Sequence, residues 1–148
     1  MTKEHIDLLT KDLCARLPYK VKLHAKYINV DLKELDGTLK QIDDDKICGF
    51  ISDTEDTYSY IYVSIDEIKP YLFPLSSMTE EQENEWNDMH LNPLWEIVED
   101  KFIGREKRLQ LMFKSMIDPI QWCYKNNFDC NGLIPLGLAE DATNKNIY

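Results

Sequence analysis

The feature that most constrains the fold is a change in hydrophobic periodicity near position 19. Between Thr2 and Leu17 the apolar residues recur every three or four positions, which is typical of an amphipathic helix that ends against Pro18. After that point apolar and polar residues alternate, which is typical of a strand with one buried face. A chain that switches period within a few residues has to pack a helix on a sheet, so we expect an α+β fold.

The first predicted strand has one apolar and one basic face. Its inward positions are Val21, Leu23, Ala25 and Tyr27. Its outward positions are all basic or potentially basic, and they form a cationic stripe of Lys20, Lys22, His24 and Lys26. Burial of one face and solvation of the other is the usual arrangement for a strand of an antiparallel sheet.

Three further strands are predicted before position 66. Asp36-Gly37 predicts a turn into a short second strand that carries Leu39 and Ile42, and residues 47–51 form the third. The fourth alternates between aromatic residues on one side and the aliphatic residues Ile61, Val63 and Ile65 on the other. The aromatic side is a tyrosine ladder of Tyr58, Tyr60 and Tyr62. Short strands joined by polar loops favour a small, bent antiparallel sheet that resembles an SH3-like barrel.

The rest of the chain is predicted to be mainly helical. We expect a helical turn at 66–72, an acidic helix that opens at a Thr79–Gln82 capping box and ends near Met89, a second helix from Trp95 to Met116, and a restart at Asp118-Pro119. These helices are expected to pack their apolar residues inward: Trp86, Trp95, Val98, Phe102, Leu109, Met112, Phe113, Met116 and Trp122. The 148 residues are interpreted as one domain, with a barrel-like part at 18–74, a helical part at 79–128 and a C-terminal strap at 129–148.

The charge is acidic and unevenly distributed. The chain has 17 basic and 27 acidic residues, and the segments 27–74 and 75–104 each have a net charge of −7. Such a field repels polyanions and suits a basic protein partner. The acidic residues of 80–88 could also imitate the phosphate backbone of a nucleic acid, although an ordinary solvated helix has the same composition.

The sequence contains no pattern that predicts catalysis, a cofactor or a metal. The triple aspartate at 43–45 fails the calcium-loop pattern, because Cys48 stands where a glycine is needed and Thr54 where a glutamate is needed. Cys14, Cys48, Cys123 and Cys130 are isolated, so four reduced thiols and no metal are expected. With no run of 18 apolar residues and a charged N-terminal segment, we expect a cytoplasmic protein without a membrane span.

These observations favour a non-enzymatic module that binds another protein, through the tyrosine ladder or the acidic helix. The alternative is a nucleic-acid-binding accessory protein, in which the cationic stripe neutralises phosphates and the tyrosines stack on bases. The oligomeric state is not predicted. An ordinary outer sheet face, with its lysines paired to nearby acids, would explain the stripe equally well.

Four segments of the chain have a distinctive sequence, namely residues 12–19, 65–72, 74–79 and 128–135. They resemble a family of small proteins of unknown function from gut bacteria, their mobile elements and their phages, whereas residues 87–116 match no pattern of that family. It implies a bacterial or phage accessory protein that acts in the cytoplasm. It supplies no catalytic residue.

Overall fold

The computed structural model describes residues 1–29, 31–53, 60–100 and 102–148, and for 27–29 and 31–33 it describes the backbone alone. Within these ranges the chain forms three α-helices: α1 (Lys3–Arg16), α2 (Glu80–Glu99) and α3 (Arg105–Lys125). The six strands are β1 (Lys22–Asn29), β2 (Asp31–Ile42), β3 (Ile47–Ser52), β4 (Tyr60–Ser64), β5 (Ile68–Leu72) and β6 (Glu140–Asp141). Short 3₁₀ turns lie at Leu17–Tyr19, Ile65–Glu67 and Leu75–Ser77.

The strands form one mixed sheet in the order β4-β3-β2-β1-β5-β6. All neighbours are antiparallel except β5 and β6, which run parallel through Tyr71 opposite Glu140 and Leu72 opposite Asp141. The α+β expectation is confirmed. The SH3-like barrel is not confirmed. Among the described strands, β4 and β6 are the two edges of the sheet, and no backbone pairing joins them.

The Asp36-Gly37 dipeptide lies inside a long strand and not in a turn, so this prediction is wrong. β2 runs for 12 residues, and Gly37 pairs with Leu23 on one side and with Ser52 on the other. A Cβ atom at position 37 would lie 2.5 Å from the carbonyl oxygen of Ile51. Glycine is needed here because the neighbouring backbone approaches so closely, which is a second reason for glycine besides turn formation.

The segment predicted as a helical turn at 66–72 is also different. Only Ile65–Glu67 is helical, and it opens with a capping box in which Ser64 and Glu67 bond each other's backbone. The following residues continue as β5, which pairs with β1. Ile68 and Leu72 are both buried in this strand, so sheet pairing and burial outweigh the weak local preference for a helix.

The main core lies between α1, the sheet and the C-terminal strap. Leu9 and Leu13 of α1 pack on the inward residues of β1, and Leu133 and Leu138 of the strap close the same cluster. Of the predicted core residues, Val21, Leu23, Val63 and Ile65 are buried and Ile61 is partly buried against them. The predicted alternation of inward and outward residues is therefore confirmed for the described side chains of β1 and β4, whereas the side chain of Tyr27 lies outside the described residues.

A buried ion pair within α1 makes hydrogen bonds to the C-terminal segment of the chain. The guanidinium of Arg16 donates to the carboxylate of Asp12 from Nε at 2.6 Å, and from Nη2 to the carbonyl oxygen of Phe128 at 2.7 Å. Asn131 of the strap donates to the same carboxylate at 2.8 Å. Both charged side chains are fully buried, so these contacts fix the N-terminal helix to the end of the chain.

Candidate interaction surfaces

The helices α2 and α3 pack against each other as an antiparallel hairpin whose base is anchored to the rest of the fold. Thr79 caps α2 through the predicted box with Gln82. At the base, Trp122 stacks on Phe128 with ring centroids 5.5 Å apart, and Trp86 packs against the same cluster. The buried positions predicted for Trp122 and, in part, for Trp86 are therefore confirmed.

Both helices continue through a proline, where helix breaks were predicted. α2 passes through Pro93 and α3 through Pro119. A proline inside a helix leaves the carbonyl four residues earlier without its N–H donor. For Pro119 that carbonyl belongs to Ser115, and the Nδ1 atom of His90 lies 2.9 Å from its oxygen. A side chain of α2 thus replaces the missing donor of α3.

The hairpin exposes an apolar face, which we define by ten large side chains. Seven of them were predicted to lie inside the fold, and this prediction is wrong: Trp95 is 58% exposed and Phe102 is 97% exposed. The ten residues are Leu91, Trp95, Val98, Phe102, Leu109, Met112, Phe113, Met116, Ile117 and Ile120. The helical spacing was read correctly, but the described part of the chain supplies no element that covers this stripe.

The apolar side chains of each helix are concentrated on one side. At about 100° per residue, those of α2 span an arc of roughly 60° and those of α3 an arc of roughly 140°. Between the same helices lies a polar groove of about 400 Å³, and charged side chains line it: Glu85, Asp88, Glu96, Lys114 and Asp118. None of the ten apolar residues lines the groove, so the hairpin has a polar and an apolar side.

The two helices of the hairpin differ in charge. α2 contains seven acidic and no basic residues, whereas α3 contains five basic and two acidic residues. Within the hairpin, Lys107 of α3 pairs with Glu96 of α2 at 2.6 Å. The predicted acidic helix is confirmed as a helix, and its acidity is matched by a basic helix beside it.

The tyrosine ladder is only partly described. Tyr60 and Tyr62 lie on β4, 47% and 52% exposed, and their rings stack with centroids 6.1 Å apart. Tyr58 lies outside the described residues. The pair therefore forms a small aromatic surface at one edge of the sheet, on the side opposite to Val63, as predicted.

The cationic stripe faces carboxylates. Lys20 lies in a turn with φ 58° and not in the strand. The ammonium of Lys22 bonds both carboxylate oxygens of Asp53 at 2.7 and 2.8 Å, and Lys26 stands opposite Glu34 in the β1–β2 register. Opposite charges across strands stabilise a sheet and leave less positive charge for a polyanion.

A polar cluster that sequence analysis missed surrounds His24. Its Nδ1 atom lies 2.9 Å from Oδ1 of Asp36, and the hydroxyl of Tyr71 donates to the same oxygen at 2.7 Å. The burial of Asp36 acts to raise its pKa, but the hydrogen bonds from Tyr71 and His24 outweigh it, so the pKa lies below its usual value. Burial and the contact with Asp36 raise the pKa of Tyr71.

The cluster borders a cavity of about 320 Å³. Residues of both charges line it, including Lys26, Lys69, Glu67 and Glu140. The β1–β2 register places His24 opposite Asp36, and only this register could have revealed the cluster from the sequence. It was not predicted because Asp36 was assigned to a turn. The carboxylate orients the imidazole, and the Tyr71 hydroxyl lies 3.4 Å from the His24 Nδ1 atom while it donates to Asp36.

The remaining expectations concern metals, thiols and membranes. The four cysteines are free. Burial raises the pKa of the Cys48 thiol to about 12. Within the described ranges no cluster of three or more potential ligands is found, and none of the helices has the length and hydrophobicity needed to cross a bilayer.

Comparisons with known proteins found no matching family model, no similar curated protein and no similar solved structure. The resemblance to proteins of bacteria and phages therefore stays a prediction. The proposed function therefore rests on the geometry of the described residues.

Proposed function

We propose that this protein is a non-enzymatic interaction module and that the apolar face of the α2–α3 hairpin binds another protein. The observation that carries the proposal is the exposure of ten large apolar side chains on the parts of the hairpin that face away from the polar groove. Typical monomers expose apolar patches of roughly 300–600 Å², and larger ones mark binding surfaces. The three aromatic side chains, of about 200 Å² each and more than half exposed, offer roughly 400 Å². The seven aliphatic side chains, of about 100 Å² each and about half exposed, add roughly 350 Å², so the face offers roughly 750 Å².

Charge supports a protein over a nucleic acid or a membrane as the partner. Glu99 of α2 is exposed next to Val98 of the apolar face, and the exposed Asp100 follows it. Carboxylates at the rim repel phosphates and anionic lipid headgroups, whereas a protein can offer matching basic groups. The alternative that used the cationic stripe is less well supported, because Lys22 is engaged by Asp53.

The hairpin is favoured over the tyrosine ladder as the docking surface. Tyr60 and Tyr62 together offer two partly exposed rings, which is small beside the ten side chains of the hairpin. Interfaces draw most of their binding energy from a few well-buried anchors at the centre of a large patch. Trp95, Phe102 and Phe113 are aromatic anchors of this kind. In this proposal the protein is an accessory protein of bacteria or phages that acts in the cytoplasm.

Site-specific photo-cross-linking in the native cell tests the proposal. A benzophenone amino acid would replace Phe113 on the apolar face or, as a matched control, Lys114, its neighbour on the polar side of the same helix. We expect a discrete cross-linked protein from position 113 at a yield at least ten times that from position 114. The purified partner should then bind the wild-type chain and the Lys114→Glu variant, but not Phe113→Glu. Equal yields from both positions, or unchanged binding by Phe113→Glu, would contradict the proposal.

A further inference from the structure

We infer that the partner of the apolar face is a second copy of this chain, so that two hairpins form an antiparallel four-helix bundle. This inference rests on the proposed function and names the occupant of the same surface. Three properties of the described hairpin support it: the area of the face, the distribution of charge between the helices and the spacing of the apolar residues.

The area fits a stable two-fold dimer. A face of roughly 750 Å² on each copy gives a total of roughly 1,500 Å² when two such faces meet, and stable protein interfaces bury about 1,200–2,000 Å². In a two-fold dimer the same patch is used twice, so the surface must be complementary to itself. A mostly apolar face meets this condition more easily than a face of one charge.

The charges select one arrangement of the two hairpins. If the two-fold axis runs parallel to the helices, α2 of each copy lies antiparallel to α3 of the other. Outside the polar groove, α2 has four acidic and no basic residues and α3 has four basic and one acidic residue, so an acidic helix then meets a basic one. Acidic and basic helices alternate around such a bundle. With the axis perpendicular to the helices, α2 would meet α2 and like charges would repel.

The same arrangement pairs charges near the tip of the hairpin. The acidic residues Glu99 and Asp100 close the C-terminal end of α2, and Arg105 and Arg108 lie in the first turn of α3. Because α2 of one copy runs antiparallel to α3 of the other, these two groups face each other across the dimer. All four residues are exposed in the single chain, so they are available for the contact.

The apolar residues of α3 have the spacing that helical bundles use. Leu109, Met112, Met116 and Ile120 follow one another at intervals of three or four residues, with Phe113 and Ile117 beside them. This pattern places a continuous apolar stripe along the helix, as at the core positions of four-helix bundles. The face is therefore patterned for contact with other helices along its whole length.

Sedimentation velocity across a concentration series tests the inference on the full chain. We expect wild type to sediment with twice the mass of one chain at micromolar concentration. Phe113→Glu and Met116→Glu should each weaken dimerisation at least 100-fold, because a carboxylate would be buried among apolar side chains. Lys114→Glu, on the polar side of α3, should remain dimeric. Circular dichroism shows whether each variant folds.

The fluorescence of Trp95 separates failure of this inference from failure of the proposed function. In a dimer its emission should shift to shorter wavelength and resist acrylamide, and Trp95→Phe identifies its contribution. If wild type is a monomer and acrylamide quenches Trp95 freely, the inference that the partner is a second copy is overturned, and a different protein remains the proposed partner. A monomer with Trp95 shielded would overturn both proposals, as the face would be covered within one chain. A dimer that survives both Phe113→Glu and Met116→Glu would place the contact elsewhere and overturn the inference.

Discussion

His90 supplies the hydrogen bond that Pro119 removes from its own helix. The imidazole Nδ1 of His90 lies 2.9 Å from the carbonyl oxygen of Ser115, the atom to which the residue at 119 would donate if it had an N–H. His90 also stacks on Trp86, with ring centroids 5.8 Å apart. The contact joins α2 to α3 at a point where α3 would otherwise be weakened.

A double-mutant cycle should detect this exchange of donors. His90→Ala should lower the free energy of unfolding by about 1 kcal/mol, because the Ser115 carbonyl loses its partner. In a Pro119→Ala background the alanine N–H can bond that carbonyl, so the same substitution should cost less by about 0.5 kcal/mol. Urea denaturation measures both values. An equal cost in both backgrounds would show that His90 acts only through its stacking on Trp86.

The buried pair of Asp12 and Arg16 should be far more sensitive than an exposed pair. Asp12→Asn leaves the guanidinium of Arg16 buried without a counter-charge, so we expect a loss of about 3 kcal/mol in the free energy of unfolding. Glu96→Gln removes the exposed pair with Lys107, which should leave the stability nearly unchanged. Chemical denaturation of the two variants provides the comparison. Similar losses would mean that the buried ion pair contributes no more than an exposed one.

The contacts of Asp36 should make the protein sensitive to acid. The pKa of folded Asp36 lies below its ordinary value of 3.8, so its carboxylate adds stability above that value and the contribution is lost as the pH falls through the lowered pKa. Tyr71→Phe removes one of the two hydrogen bonds and should raise the pKa of Asp36. Carboxyl-carbon NMR titration of both proteins measures the change. An unchanged pKa in Tyr71→Phe would show that burial and His24 alone determine it.

Neighbouring residues of β4 should respond in opposite ways to substitution. Val63 is buried in the core, so Val63→Asp should cost several kcal/mol, comparable with the total stability of a small domain, and unfold the protein. Tyr62 is exposed on the other side of the strand, so Tyr62→Ser should cost about 1 kcal/mol or less. Thermal unfolding followed by circular dichroism is sufficient. A Val63→Asp variant that melts like wild type would show that the strand register is wrong.

Sequence patterns predicted the strands well where burial follows a simple alternation. Leu23 and Val63 lie in the core because each belongs to a strand with one exposed face, and Val21 is buried immediately before β1 in the same alternation, which is a local signal. The turn predicted at Asp36-Gly37 is wrong, because the glycine is required by the close approach of the Ile51 carbonyl from a neighbouring strand. Such contacts depend on the three-dimensional pairing and leave no local mark in the sequence.

The hairpin shows a second limit of sequence reasoning. A helix break was predicted between Met89 and Trp95 and another at Asp118-Pro119. At Pro119 the proline is tolerated because another element satisfies the freed carbonyl, as His90 does from 25 residues away. The apolar spacing of α3 was also recognised, but spacing indicates only that a face should be covered. Spacing does not indicate whether the element that covers the face belongs to the same chain. For this reason Phe113 and Met116 were expected to be buried within the fold.

The bond between Arg16 and the carbonyl of Phe128, 112 positions apart, has a consequence for biosynthesis. While the ribosome is still making the helical hairpin, the guanidinium near the start of the chain has no access to this acceptor. The first helix and the sheet therefore cannot reach their final packing until nearly the whole chain has emerged, because contacts between distant positions must wait for the later one. A nascent chain stalled before position 128 should be readily digested by protease.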